Sequence, residues 1–217
     1  MNKALILGST GLTGSILLNE LLNSGLYSEV EIWVRKSTGI THPNVTEIIV
    51  DFESDLPVMS NISDVYCCIG TTIKKAGTKE KFRAIDHDLV VRCAKIASDS
   101  GVRSFAVMSS IGANKNSSNN YLKVKGEMEF AVSNFKIPSV IIMRPSIILG
   151  DRKEVRMFEK GGKVFMRLLK PFLIGKIRKY RAIHAQTIAK SMILLTQQHT
   201  ICVRILESDE IQSIASK

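Results

Sequence analysis

The chain has 217 residues, 45% of them hydrophobic, with 30 Lys and Arg against 20 Asp and Glu and a formal net charge of +10. That length suits one large domain with a full core, and the composition excludes an intrinsically disordered chain. The charge alone admits a nucleic-acid binder, a membrane-surface protein or a host for an anionic small molecule, so its distribution has to decide.

The few apolar residues before Gly8 are too short for a signal peptide, and no stretch approaches the ~20 apolar residues of a membrane helix. Lys3–Gly8 reads as a buried strand, followed by a helix over Leu12–Ser24 that stops near Gly25. Val30–Arg35 and Val45–Val50 are strands two and three, with too little chain between them for a full crossover helix. Asp64–Ile69 is strand four, Lys79–Ser100 a long helix, Arg103–Ser109 strand five, Asn120–Asn134 a helix and Ser139–Met143 strand six. Val203–Leu206 can add a seventh. Strands joined by helices imply an α/β fold of Rossmann type: a doubly wound, mainly parallel sheet with helices on both faces, here in a single domain over 1–217. Cys67, Cys68, Cys93 and Cys202 lie in apolar stretches without zinc or redox spacing, and read as buried reduced thiols of a cytoplasmic protein.

Between the first strand and its helix stands G-S-T-G-L-T-G: Gly8, Ser9, Thr10, Gly11, Leu12, Thr13 and Gly14. A turn from a strand into a helix aims unpaired N–H groups and the helix dipole at one point, where phosphate binds. Gly8 permits the tight turn, Gly11 the approach of a pyrophosphate and Gly14 the packing of helix on sheet. No Lys-Ser/Thr follows, so this is not a P-loop. The second strand ends in Arg35-Lys36, where an NAD site usually places a carboxylate for the ribose. A guanidinium fits a 2′-phosphate, so NADP(H) is favoured over NAD(H). At the ends of strands three and four, Asp51-Phe52 and Ile69-Gly70-Thr71 face the ligand crevice, Asp51 as a partner for the adenine amino group and Gly70 as a close-approach point. Ordinary loop chemistry is an equal reading of both.

Tyr121 and Lys125 lie one helical turn apart on one face, after a strand ending in Ser109-Ser110. A free tyrosine titrates near ~10, and a neighbouring ammonium favours its ionised form. Such a phenol passes a proton to a carbonyl oxygen while a nicotinamide delivers hydride, and a serine hydroxyl holds the substrate oxygen. The competing reading is a half-buried tyrosine beside a surface lysine.

G-S-T-G-L-T-G at 8–14, S-S-I-G-A at 109–113 and Y-L-K-V-K-G-E at 121–127 resemble the short-chain dehydrogenase/reductases, in an atypical branch. C-C-I-G-T-T at 67–72, K-K-A-G at 74–77, I-D-H-D at 85–88, R-P-S-I-I-L-G at 144–150 and I-H-A at 183–185 are narrower. They resemble its NmrA-related group, that of the Tat-interacting tumour suppressor and many bacterial proteins. The resemblance spans roughly residues 3–195. It implies NADP(H) binding, a proton relay of Ser109 or Ser110 with Tyr121 and Lys125, and a chain after Arg144-Pro145 that passes the nicotinamide, with Ile147 lining that pocket. The sequence departs from the pattern in the short gap between Ser110 and Tyr121, in Asp86 where longer members carry Asn, and in Gln186 where an acidic residue is common.

Three functions follow. The first is an NADP(H)-dependent oxidoreductase acting on a small carbonyl or alcohol. The second is a non-catalytic NADP(H)-binding regulator. The third is contact with an anionic membrane or a protein through residues 151–181, which hold eleven of the Lys and Arg against three Asp and Glu. On a helix through 155–170, Arg156, Lys160, Lys163, Arg167 and Lys170 oppose Phe158, Phe165, Leu169 and Phe172, although an apolar face packed on the sheet under solvated lysines is the usual and favoured explanation. Aromatic–basic interleaving is missing, which argues against nucleic acid. The histidines show no metal spacing, and His184, the one near the site, is more often a structural residue in such a place.

Overall fold

The computed structural model describes residues 2–150 and 175–216. In chain order the strands are β1 (Lys3–Leu7), β2 (Glu29–Val34), β3 (Val45–Ile49), β4 (Asp64–Cys67), β5 (Ser104–Met108), β6 (Ser139–Arg144), the short β7 (Ile148–Leu149) and β8 (Ile183–His184), and β9 (Cys202–Glu207). Seven of them form one sheet in the order β3-β2-β1-β4-β5-β6-β9, parallel at every pairing, while β7 and β8 pair separately. The order reverses between β1 and β4, which opens a crevice beyond their carboxyl ends.

The helices are α1 (Leu12–Ser24), α2 (Ile73–Ala76), α3 (Lys79–Arg83), α4 (Val90–Asp99), α5 (Asn120–Ser133), α6 (Ala185–Gln197) and α7 (Ser208–Ala215). Period-two alternation along the strands divides the apolar residues between two cores. Ala4 and Ile6 of β1, with Ile32 and Ile141, pack against Leu17 and Leu21 of α1, Ile188 and Met192 of α6 and Ile211 of α7. Leu5 and Leu7, with Phe105 and Ile142, pack against Val90, Cys93 and Ala97 of α4 and Met128 and Val132 of α5. Burial on both faces is what makes the strands read as continuous apolar runs.

The sheet and its helices on both faces match the expected architecture, and the chain from β2 to β3 holds no helix. The single helix expected over 79–100 is corrected: a π-turn over Ala84–Leu89 interrupts it between α3 and α4. Helices α6 and α7 were not anticipated. The basic amphipathic helix expected through 155–170 lies outside the described residues. No helix among the described residues is long and apolar enough to cross a membrane.

The amino edge of the sheet is closed by a buried polar network. Asp64, fully buried, accepts hydrogen bonds from Tyr27 Oη (2.7 Å) and Ser104 Oγ (2.5 Å) and is held by Arg103 through two guanidinium nitrogens. Tyr27 and Tyr66 share a bond at 2.9 Å, Tyr66 reaches Thr196 at 2.6 Å, and Gln197 donates to Tyr27 at 2.8 Å. Burial pushes the Tyr66 phenol up to about 12.

Candidate active site

The glycine loop lies against the carboxyl end of β4. Gly8 has φ +82° and its Cα faces the Cys68 carbonyl, while a Cβ on Gly14 would collide with the Gly8 carbonyl oxygen. The helix therefore starts as close to the sheet as backbone allows. Gly11 caps α1 with no side-chain hydrogen bond, and no acidic residue occupies the first turn. The leading N–H groups remain open to an anion. Within the same turn Ser9 is buried and its Oγ has no hydrogen-bond partner among the described residues. Thr10 and Leu12 line the outer side of this turn, with Thr13 buried behind it.

An orphaned buried hydroxyl beside uncapped N–H groups and two contact-limited glycines is the donor set a pyrophosphate satisfies. The residues present fit a dinucleotide.

At the end of β2, Arg35 and Lys36 are exposed and make no hydrogen bond or ion pair with the described residues. Asp51 is exposed too, but its carboxylate closes its own turn, accepting from Glu53 N (2.9 Å) and Ser54 Oγ (2.6 Å), which holds its pKa below the usual value. Phe52 packs half-buried against the α4-side core, and Arg92 donates to its carbonyl.

Ile69 is buried and Gly70 exposed, so the chain after β4 turns its glycine to the crevice. The Thr71 N–H donates to Asp86 Oδ2 at 2.8 Å, and Asp86 Oδ1 lies 2.8 Å from Lys125 Nζ. Both side chains are almost wholly buried. Lys125 Nζ also donates to the Met108 carbonyl at the end of β5, at 3.3 Å. Burial pulls the Lys125 ammonium down, but Asp86, Tyr121 and Cys67 together outweigh it and leave its pKa above the ordinary lysine value. The sequence singled out Asp86 only as a departure. Its partnership with Lys125 depends on the π-turn, which shifts the helical phase that spacing arguments assume.

Tyr121, in the first turn of α5, is half-buried and stacks on Phe82 with ring centroids 5.3 Å apart. Its phenol makes no hydrogen bond with the described residues, and it lies within electrostatic reach of Lys125. Asn119 orders this turn by capping it, its Oδ1 accepting from the Tyr121 and Leu122 N–H groups. A Cβ on Gly126 would collide with the backbone of Asn114 and Lys115, so that glycine seats the polar loop directly on α5.

The two serines separate. Ser109 is buried and donates to Glu129, which Arg144 grips with two guanidinium nitrogens. Ser110 makes only a long bond, 3.5 Å, to the Ile111 carbonyl. Backbone pairing continues past the strands, Ser109 N to Met143 O and Ile111 N to Pro145 O, and places Pro145 beside the serines. Ile147, further on, is exposed. His184 is exposed at the start of α6, without a hydrogen bond to the described residues.

The assembled residues line a crevice that fits a dinucleotide, and comparison with known proteins places the chain among nicotinamide-cofactor binders. A family model described as NAD(P)H-binding matches residues 8–167. The chain belongs to that family. Within it, the chain falls in the NmrA-related branch of atypical short-chain dehydrogenase/reductases. It is 38% identical over 162 residues to the rat protein HTATIP2, covering 71% of this chain and 66% of the rat protein. It is 35% identical over 174 residues to the protein FMP52, mitochondrial, of Candida glabrata, covering 76% of this chain and 74% of that protein. Among solved structures, MoeE5 in complex with UDP-glucose and NAD superposes with a TM-score of 0.70 at 16% identity, over 99% of this chain and 81% of that one. The Bordetella bronchiseptica enzyme WbmH, in complex with NAD+, gives 0.71 at 15% identity, over 100% and 80%. These structures share the fold of the NAD(P)H-binding family, an oxidoreductase-like one.

Proposed function

We propose that this family member is an NADP(H)-dependent oxidoreductase that interconverts a small carbonyl and its alcohol. The observation that carries the reading is the pairing of Tyr121, half-buried with a phenol that makes no hydrogen bond among the described residues, with the buried Lys125 one turn away. When bound, the nicotinamide supplies or accepts the hydride. Tyr121 gives its phenolic proton to the carbonyl oxygen in reduction and takes it from the hydroxyl in oxidation. Lys125 sets a fixed positive charge behind that phenol. Ser110, rather than Ser109, orients the substrate oxygen, because Ser109 already serves Glu129. Gly8, Ser9 and the open end of α1 hold the pyrophosphate, Gly70 lets the ligand approach β4, and Pro145 borders the reacting end.

Preference for NADP(H) rests on Arg35 and Lys36, exposed at the end of β2 and without ion pairs among the described residues. Its check is separate fluorescence titration with NADPH and NADH; tighter NADH binding would overturn it. A cytoplasmic setting rests on four free thiols, with burial raising that of Cys67 to about 12. Cell fractionation decides between that and the mitochondrial placement in the relatives' names.

The test of catalysis is Tyr121→Phe against a panel of small carbonyls with NADPH. Loss of about 10²–10⁴ in turnover with unchanged NADPH binding supports the enzyme. Wild-type protein that binds NADPH and turns over no carbonyl favours the regulatory reading.

A further inference from the structure

Beyond the carboxyl ends of β5, β6 and β9, the buried and half-buried cations among the described residues hold carboxylates, with one exception. Lys125 pairs with Asp86 at 2.8 Å, Arg144 with Glu129, and Lys179 with Glu207 at 2.9 Å. Arg181 is half-buried too, yet its Nε is buried without a hydrogen-bond partner and no carboxylate among the described residues pairs with it. Its terminal nitrogens make no hydrogen bond there either, and they are not buried. The stem is sunk in the protein and the end of the fork is open.

Main chain pins this residue at the reacting end. The Arg181 N–H donates to the Arg178 carbonyl at 3.0 Å, and the Arg181 carbonyl accepts from Ser146 Oγ. Two residues on, the Ile183 N–H donates to the Ile147 carbonyl at 2.9 Å, where β8 pairs with β7. Arg181 therefore stands beside Ser146, next to the proline that borders the reacting end. A guanidinium stays charged at every working pH and matches a carboxylate with two parallel N–H groups. A half-buried charge with no counter-ion of its own suits a ligand that brings one.

We propose that Arg181 is the anion-binding residue of the substrate pocket, and that the carbonyl substrate carries a carboxylate. The terminal nitrogens of Arg181 grip that carboxylate while Tyr121 meets the carbonyl oxygen. The inference rests on the proposed oxidoreductase reading for the carbonyl, and on Arg181 alone for the carboxylate.

Two measurements on the full chain test it. The first needs no turnover. The Arg181 Nε–H signal, assigned by its loss in Arg181→Lys, is followed by NMR in protein saturated with NADP(H). Propionate should shift it saturably, and propionamide, of equal size but uncharged, should not. No shift with propionate, or the same shift with both, overturns the proposal; a shift with inorganic phosphate alone overturns the choice of carboxylate. The second compares NADPH oxidation with succinic semialdehyde and with its methyl ester. Wild-type protein should prefer the acid. Arg181→Ala should lower kcat/KM for the acid by about 10²-fold, mainly through KM, and change that for the ester by less than about threefold. Preference for the ester, or equal losses for both, overturns the proposal. So does a loss of tenfold or more in NADPH binding, which would give Arg181 to the cofactor. Should Arg181→Ala fail to fold, Arg181→Lys replaces it, with a loss of about tenfold for the acid alone. Wild-type protein that turns over no carbonyl overturns the oxidoreductase reading, and the propionate titration still decides for Arg181.

Discussion

The two edges of the sheet differ in how completely their polar groups are paired. At the amino edge Asp64, Tyr27, Tyr66, Ser104, Arg103, Thr196 and Gln197 satisfy one another. At the carboxyl edge Ser109, Glu129 and Arg144 pair with one another, but among the described residues Ser9 Oγ is buried with no partner, the Tyr121 phenol and the exposed Arg35 and Lys36 cations are uncommitted, and Ser110 holds only a long bond. Buried polar groups are normally paired, because leaving one unpaired costs about 1–3 kcal/mol. Water serves the exposed groups, but a buried hydroxyl such as that of Ser9 needs a partner of its own, and the proposed dinucleotide would supply one.

That contrast is broken first at Asp64. Asp64→Ala strips acceptors from Arg103, Ser104 and Tyr27 at once, and should destabilise the fold by about 3–5 kcal/mol in urea unfolding. NADPH binding by the folded fraction should stay within about twofold. A large loss of binding would show that the two edges are not separate.

Gly14→Ala tests the opposite edge by main-chain collision with Gly8. It should weaken NADPH binding at least tenfold and cost about 1–3 kcal/mol of stability, read by titration and thermal unfolding. Arg35→Ala should lose about tenfold, or ~1.4 kcal/mol, for NADPH while leaving NADH unchanged. Equal losses for both cofactors would remove Arg35 from the 2′-phosphate.

The smallest effect sharpens the comparison most. Ser9→Ala removes a hydroxyl with nothing to bond, so stability should hold or rise by up to ~1 kcal/mol, while NADPH binding weakens several-fold. A structural serine would show the reverse signs.

Most of the architecture was legible because it rests on local pattern. Buried strands such as Lys3–Leu7 are continuous apolar runs, and the glycine loop marks the first turn by chemistry that only backbone approach explains. Tyr121 and Lys125 were legible by the same logic, since 3.6-residue periodicity holds through α5. What escaped depends on contacts between distant segments. Asp86 meets Lys125 only because a π-turn moves it inward. Ser109 and Ser110 are equivalent in sequence and part company through Glu129 and Arg144. Glu129 stands eight positions beyond Tyr121 and shares its helix face, so that signal was present, but its arginine partner sits on another strand. Helix α6, apolar over much of its surface, lacks an acidic first turn or a side-chain cap to announce it.

The seat of the polar loop on α5 has a practical meaning for anyone reshaping this protein. Asn114 N bonds the Leu122 carbonyl at 3.0 Å, Asn119 caps the first turn, and no side chain stands between the loop and the helix at Gly126. The loop is therefore held on α5 through main chain, and a side chain at position 126 would push it off. Reshaping this loop calls for changes that keep that backbone contact, because the loop rests on the same helix that carries Tyr121.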